Sequence, residues 1–176
     1  MKTLESKKRQ KLNTNSIRLN IMSKGFYNIT TKIKDFLTAN EDVSVVTMKV
    51  LQDSDLDKRT IFPLANIIVQ DTTFTSSIIR FSIQVALMDI VDITKENPKD
   101  EEDVFLGSDN LQDIMNTQLS VANDLFSALQ RGSLETELYK INGDMVCNPF
   151  QDRFENLLAG WVLNLNIDIP NEQTIC

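Results

Sequence analysis

From Ile78 to Ile93 the chain reads IIRFSIQVALMDIVDI. Ile79, Phe81, Ile83, Val85 and Leu87 alternate with Arg80, Ser82 and Gln84. A period of two belongs to a strand with one dry and one wet face. Further along, Ala86, Met88 and Ile90 make the second face apolar as well, and Asp89 enters the first. At about 3.3 Å per residue this strand runs roughly 50 Å, well past the usual five or six residues. A strand that long bends or projects beyond its own domain. The change of buried face predicts that the far half packs against something other than the near half, for instance another subunit. Met88 and Ile90 are the candidate partner-binding residues there.

A second stretch of the same kind closes the chain. In Leu157 to Ile169 the residues Leu157, Ala159, Trp161, Leu163, Leu165, Ile167 and Ile169 alternate against Gly160, Val162, Asn164, Asn166 and Asp168, and Pro170 ends the run. Between the two strands lies a helical pattern over Asp109 to Arg131. Asp109 is placed to cap it, Gln112 follows as in a capping box, and Arg131-Gly132 closes it. Leu111, Ile114, Met115, Leu119, Ala122, Leu125, Phe126 and Leu129 form its apolar stripe. A stripe of that kind covers one face of a sheet. The expected fold is therefore α+β: a mainly antiparallel sheet with long strands, packed by one major helix and an N-terminal helix.

The remaining elements follow in order. Residues 1–15 read as a basic flexible arm. Ile17, Ile21, Ile29, Ile33, Phe36 and Leu37 recur at helical spacing with a break near Gly25, so Phe26 to Ala39 is the firmer helical piece. Val43–Leu51 and Ile61–Val69 read as strands joined in a hairpin by a charged loop, and Asp71–Ser77 as a turn. Residues 94–108 form an extended loop. Leu134–Ile141 reads as a strand, Asn142-Gly143 as a hairpin turn, and Asn148–Phe154 as a loop. Residues 16–170 are expected to form one domain, followed by a tail at 171–176.

Charge is distributed unevenly. Residues 1–34 hold nine basic residues and one acid, so they carry +8; the whole chain is −7, which leaves −15 on the other 142 residues. The arm, with Lys7, Lys8, Arg9 and Lys11, can meet phosphates, meet the acidic surface of a neighbour, or remain a solvated tail. The loop carries four consecutive acids, Asp100, Glu101, Glu102 and Asp103, beside Val104, Phe105 and Leu106. Acidic runs are usually solvated surface. This one opposes the arm in sign and is long enough to reach a neighbour, with Phe105 as an anchor.

Chemistry is sparse. The chain has no histidine, which removes imidazole general-base catalysis, Ser-His and Cys-His nucleophiles, and histidine-ligated metals. Cys147 and Cys176 are far apart and fit no CxxC pattern, so reduced, inert thiols are expected. Asp53, Asp55 and Asp57 alternate, but Lys58 and Leu64 stand where a calcium loop needs Gly and Glu, and a solvated loop is the better reading. Asn28-Ile29-Thr30 matches a glycosylation sequon without a secretory signal. No glycine-rich phosphate loop and no apolar run of roughly 18 residues occurs. The expectation is a protein that is not an enzyme, with no cofactor, no metal and no membrane contact. Asp89 needs water or a partner, and Trp161 is expected to anchor the core beneath the main helix.

This order of elements, with Phe81-Ser82-Ile83-Gln84-Val85, the Leu111–Leu129 helix and Gly160-Trp161 within LLAGWVLNLNIDI, resembles the neck and tail-completion proteins of tailed bacteriophages, the tail-terminator-like fold. The absence of histidine, low glycine and lack of low-complexity segments are similar to proteins of AT-rich phages such as the crAss-like group. The resemblance implies a virion protein assembled in the host cytoplasm. It would form a ring with copies of itself around the DNA channel and contact neighbouring portal, neck or tail proteins. Genomic DNA would pass through without sequence recognition. The rival expectation is a small nucleic-acid-binding module that uses the arm. The −15 of the remaining chain and the lack of an aromatic residue in residues 1–13 weigh against it.

Overall fold

The computed structural model describes residues 26–48, 61–92, 109–131, 139–153 and 157–171. These form a mixed α+β fold, one sheet and two helices. In chain order they are α1 (residues 26–38), β1 (Val45–Thr47), β2 (Leu64–Phe74), β3 (Ile78–Ile90), α2 (Leu111–Arg131), β4 (Lys140–Ile141), β5 (Val146–Arg153) and β6 (Leu158–Pro170). The sheet order is β1-β2-β3-β6-β4, with β5 also paired to β6.

The two long alternating stretches become neighbours at the centre. They pair antiparallel along their whole length, from Ile78 opposite Pro170 to Ile90 opposite Leu158. Ile79, Phe81, Ile83, Val85 and Leu87 therefore share a face with Ile169, Ile167, Leu165, Leu163 and Trp161. Helix α1 covers that face with Ile29, Ile33 and Leu37, and α2 with Val121, Ala122, Leu125 and Leu129. This is the main core.

Helix α2 begins one residue later than its sequence suggests. The first helical bond is Ile114 N–H to the Asn110 carbonyl (3.0 Å), so Asn110 occupies the capping position, while Asp109 Oδ1 accepts the Leu111 amide at 3.2 Å. Asn110 Oδ1 also accepts the Asp92 amide at 2.7 Å, which ties the helix start to the end of β3. The buried face is Ile114, Gln118, Val121, Ala122, Leu125, Ala128 and Leu129. Leu119, expected in the stripe, is exposed, and Gln118 is buried in its place. Both helices pack on this one sheet face.

Four expectations are corrected. β1 and β2 run parallel, with Val45 opposite Leu64, and do not form a hairpin. A connection of more than a dozen residues suits a parallel crossover, which a tight turn cannot make. β2 extends to Phe74 through a bulge between Val69 and Asp71, so the turn into β3 is only Thr75–Ser77. Asn142-Gly143 does not reverse the chain. β4 and β5 both pair antiparallel with β6; from Ile141 to Val146 they advance five residues while β6 advances three, from Ile167 to Asn164. Gly143, at φ 76°, absorbs this excursion along one sheet edge. Asn148 to Arg153, expected as a loop, is the body of β5.

From Val85 to Met88 β3 is buried on both faces by the chain itself. Leu64, Ala86, Met88, Phe150 and Leu158 form a second cluster on the sheet face away from the helices, with Val45, Phe62 and Val162 against it. Gly160 makes this possible. A Cβ there would stand 1.9 Å from the Leu87 carbonyl oxygen, so only glycine lets β6 lie this close to β3.

Candidate functional site

The face of the sheet away from the helices is polar along the near half of β3. Register makes the wet residues of the two long strands direct partners: Arg80 faces Asp168, Ser82 faces Asn166 and Gln84 faces Asn164. Each pair is hydrogen-bonded. Arg80 Nε and Nη2 donate to the two Asp168 oxygens at 2.7 and 3.0 Å, a bidentate fork. Ser82 Oγ donates to Asn166 Oδ1 at 2.9 Å and Gln84 Nε2 to Asn164 Oδ1 at 2.8 Å. Gln70, at the β2 bulge, donates to Gln84, and Asn142 Nδ2 donates to Asp168 Oδ2 at 2.9 Å. The result is a polar ladder that crosses from β2 to the β4 edge.

Its electrostatics follow from these contacts. The Asp168 carboxyl is held below the usual carboxylate range, chiefly by its bonds to the Arg80 guanidinium, with help from Asn142 and the charge of Lys140. At the other end of β3, burial pushes the Asp89 carboxyl up, and the Ile90 amide, which donates to Asp89 Oδ1 at 2.8 Å, opposes that shift in part. Burial likewise raises the Cys147 thiol, which disfavours the reactive thiolate. The ladder holds amides, one hydroxyl and one ion pair. Its hydroxyl, Ser82 Oγ, bonds to the Asn166 amide, and its carboxylate, Asp168, bonds to Arg80 and Asn142.

The ladder ends at a cleft of 720 Å³ between the C-terminus of α2 and the sheet edge, lined by Ile78, Leu129, Gln130, Arg131, Tyr139, Lys140, Ile141, Gly143, Asp168, Ile169 and Pro170. Among the described residues, no group of three or more Cys, Asp or Glu side chains can hold a metal ion. No described helix is long and apolar enough to cross a membrane.

Most of the residues singled out in the sequence do not gather here. Lys7, Lys8, Arg9, Lys11, Asp100, Glu101, Glu102, Asp103 and Phe105 lie outside the described residues, as do Asp53, Asp55 and Asp57. Met88 is only 1% exposed and packs inside the chain's own second cluster, so it is not offered to a neighbour; Ile90 is 42% exposed. Trp161 is half-buried, and its Nε1 donates to the Met115 carbonyl at 2.8 Å, which pins α2 to β6. Arg80, Ser82, Gln84, Asn164, Asn166 and Asp168 were each visible as wet positions, whereas Asn142 read as part of a turn. Their union into one ladder required knowing that β3 and β6 are adjacent and in which register.

Large apolar side chains remain uncovered at both lateral edges of the sheet. Met48 directly follows β1 and is 52% exposed, Ile61 precedes β2 and is 59% exposed, and Val146 on β5 is 53% exposed. No protein-family model matches the chain, and no curated protein matches it.

Proposed function

We propose that this protein is a non-enzymatic building block of a tailed-phage virion, a ring-forming component of the neck or tail with a tail-terminator-like fold. The observation that carries the proposal is the uncovered apolar residues at opposite edges of one sheet, Met48 and Ile61 on one side and Val146 on the other. Two different sticky edges favour head-to-tail contacts, which close into a ring when the rotation between copies divides a full turn. Pro149 on β5, the three-residue length of β1 and the excursion at Gly143 blunt unlimited strand addition, as natural edge strands do. The polar ladder supports the same reading: its groups bond to one another across the two strands. The net −15 on residues 35–176 would let genomic DNA pass without adhering.

Native mass spectrometry and light scattering on the purified chain test this. The expected result is a closed oligomer of one fixed size. A monomer at every accessible concentration, alone and beside candidate portal or tail proteins, refutes it. Tight, salt-sensitive binding of random DNA by the isolated subunit would favour the nucleic-acid reading instead.

A further inference from the structure

The sequence contains one Asn-Gly pair, Asn142-Gly143, and it lies at the β4 end of the ladder. Glycine after asparagine leaves the next backbone nitrogen without a side chain beside it, so that nitrogen can approach the asparagine side-chain carbon closely. Gly143 is exposed, its φ is 76°, and no atom lies within 4 Å of where a Cβ would stand. Nothing crowds the link from outside. What the fold adds is restraint. The Asn142 N–H donates to the Asn166 carbonyl at 2.8 Å and Asn142 Nδ2 donates to Asp168 Oδ2 at 2.9 Å, so backbone and side chain are both tied to β6. Asp168 is itself fixed by the Arg80 fork.

We propose that Asn142 is a deamidation site that its bonds to β6 keep closed, and that the product releases the β4 edge from the ladder. In the reaction the Gly143 nitrogen loses its proton and bonds to Asn142 Cγ. The Cγ–Nδ2 bond breaks, and the nitrogen departs as ammonia with that proton. Water then opens the cyclic imide at either carbonyl and leaves aspartate or isoaspartate; no other reactant is needed. Attack requires the side chain to swing back over its own backbone, away from Asp168. Either product puts a carboxylate where an amide donor faced Asp168, acceptor against acceptor and like charge against like. Lys140, opposite Asp168, offsets part of that charge but does not replace the Asn142 donor. Isoaspartate also adds a methylene to the backbone just after β4.

Ageing the full-length chain at mildly alkaline pH, with peptide mapping for acid products at position 142, tests this. The wild-type chain is expected to react about tenfold or more slowly when folded than in urea, because the reaction waits for local opening. Asp168→Ala removes the acceptor and should speed the folded reaction about fivefold, the effect of one lost hydrogen bond, with the rate in urea unchanged. Arg80→Met breaks the same ion pair but keeps the Asn142 bond, so it should react at the wild-type rate. Circular dichroism checks that both variants fold, and the wild-type comparison needs neither. Asn142→Asp, which stands for the product, should speed hydrogen exchange of the amide at position 142, the one bonded to Asn166. Equal rates in folded and unfolded wild-type chain, or no acid product in either, overturns the site. Arg80→Met reacting as fast as Asp168→Ala assigns the protection to the ion pair and overturns the Asn142 bond as the gate. Unchanged exchange in Asn142→Asp overturns release of the edge.

Discussion

Single residues set the limits of this fold. Gly160 is required by contact, since any Cβ would meet the Leu87 carbonyl oxygen at 1.9 Å. Gly160→Ala should destabilise by about 3 kcal/mol, the upper end of overpacking costs, because the obstacle is backbone and cannot rotate away. An unchanged urea midpoint would contradict this. Gln118 presents the opposite case: it is 1% exposed and its Oε1 lacks a hydrogen-bond partner. Gln118→Met keeps the shape and removes the unmet acceptor, so stability should rise by about 1–2 kcal/mol in the same measurement. Asp89 is the third. Burial raises its carboxyl above the unfolded value, so folding favours the protonated form, and Asp89 weighs against stability once pH exceeds its folded pKa. Asp89→Asn should therefore raise the melting temperature at pH 7, with the gain shrinking on acidification.

Among the elements, the β3–β6 ladder carries a second pH signature of opposite sign. The Asp168 carboxyl is lowered in the fold, so its contribution is complete above the unfolded value near 3.9 and is lost as pH falls through the folded one. Arg80 and Asp168 are partly solvated, so the effect is small. Arg80→Met should cost little at neutral pH and flatten the acid limb of the stability profile. The helices behave differently, because their value lies in area removed from water. Leu125 is fully buried between α2 and the sheet, and Leu125→Ala should cost about 2–5 kcal/mol. A loss as small as that of Arg80→Met would mean that α2 does not carry the core.

At the scale of the whole molecule, the sheet is closed on one face by two helices, and closed on half of the other by its own second cluster. What remains open is the ladder, the cleft and the two lateral edges. If the arm docks to a neighbouring copy, removing residues 1–13 should weaken assembly into particles while leaving the thermal unfolding of the subunit unchanged. Normal incorporation of the truncated chain would leave the arm without a role in assembly.

Alternation and helical spacing are local, so the sequence alone determined β3, β6, α2 and the α+β class: burial must follow periods of two and 3.6 wherever these elements pack. Asn142-Gly143 and the β1–β2 pair misled because turn chemistry and strand propensity do not say which strand a segment will join. Register was equally hidden, and with it the ladder from Arg80 to Asn142 and the cleft between Arg131 of α2 and Lys140 of β4. Only the tertiary structure decided that the apolar second face of β3 is met by Phe150 and Leu158 of the same chain, because a face that must be dried is silent about what dries it.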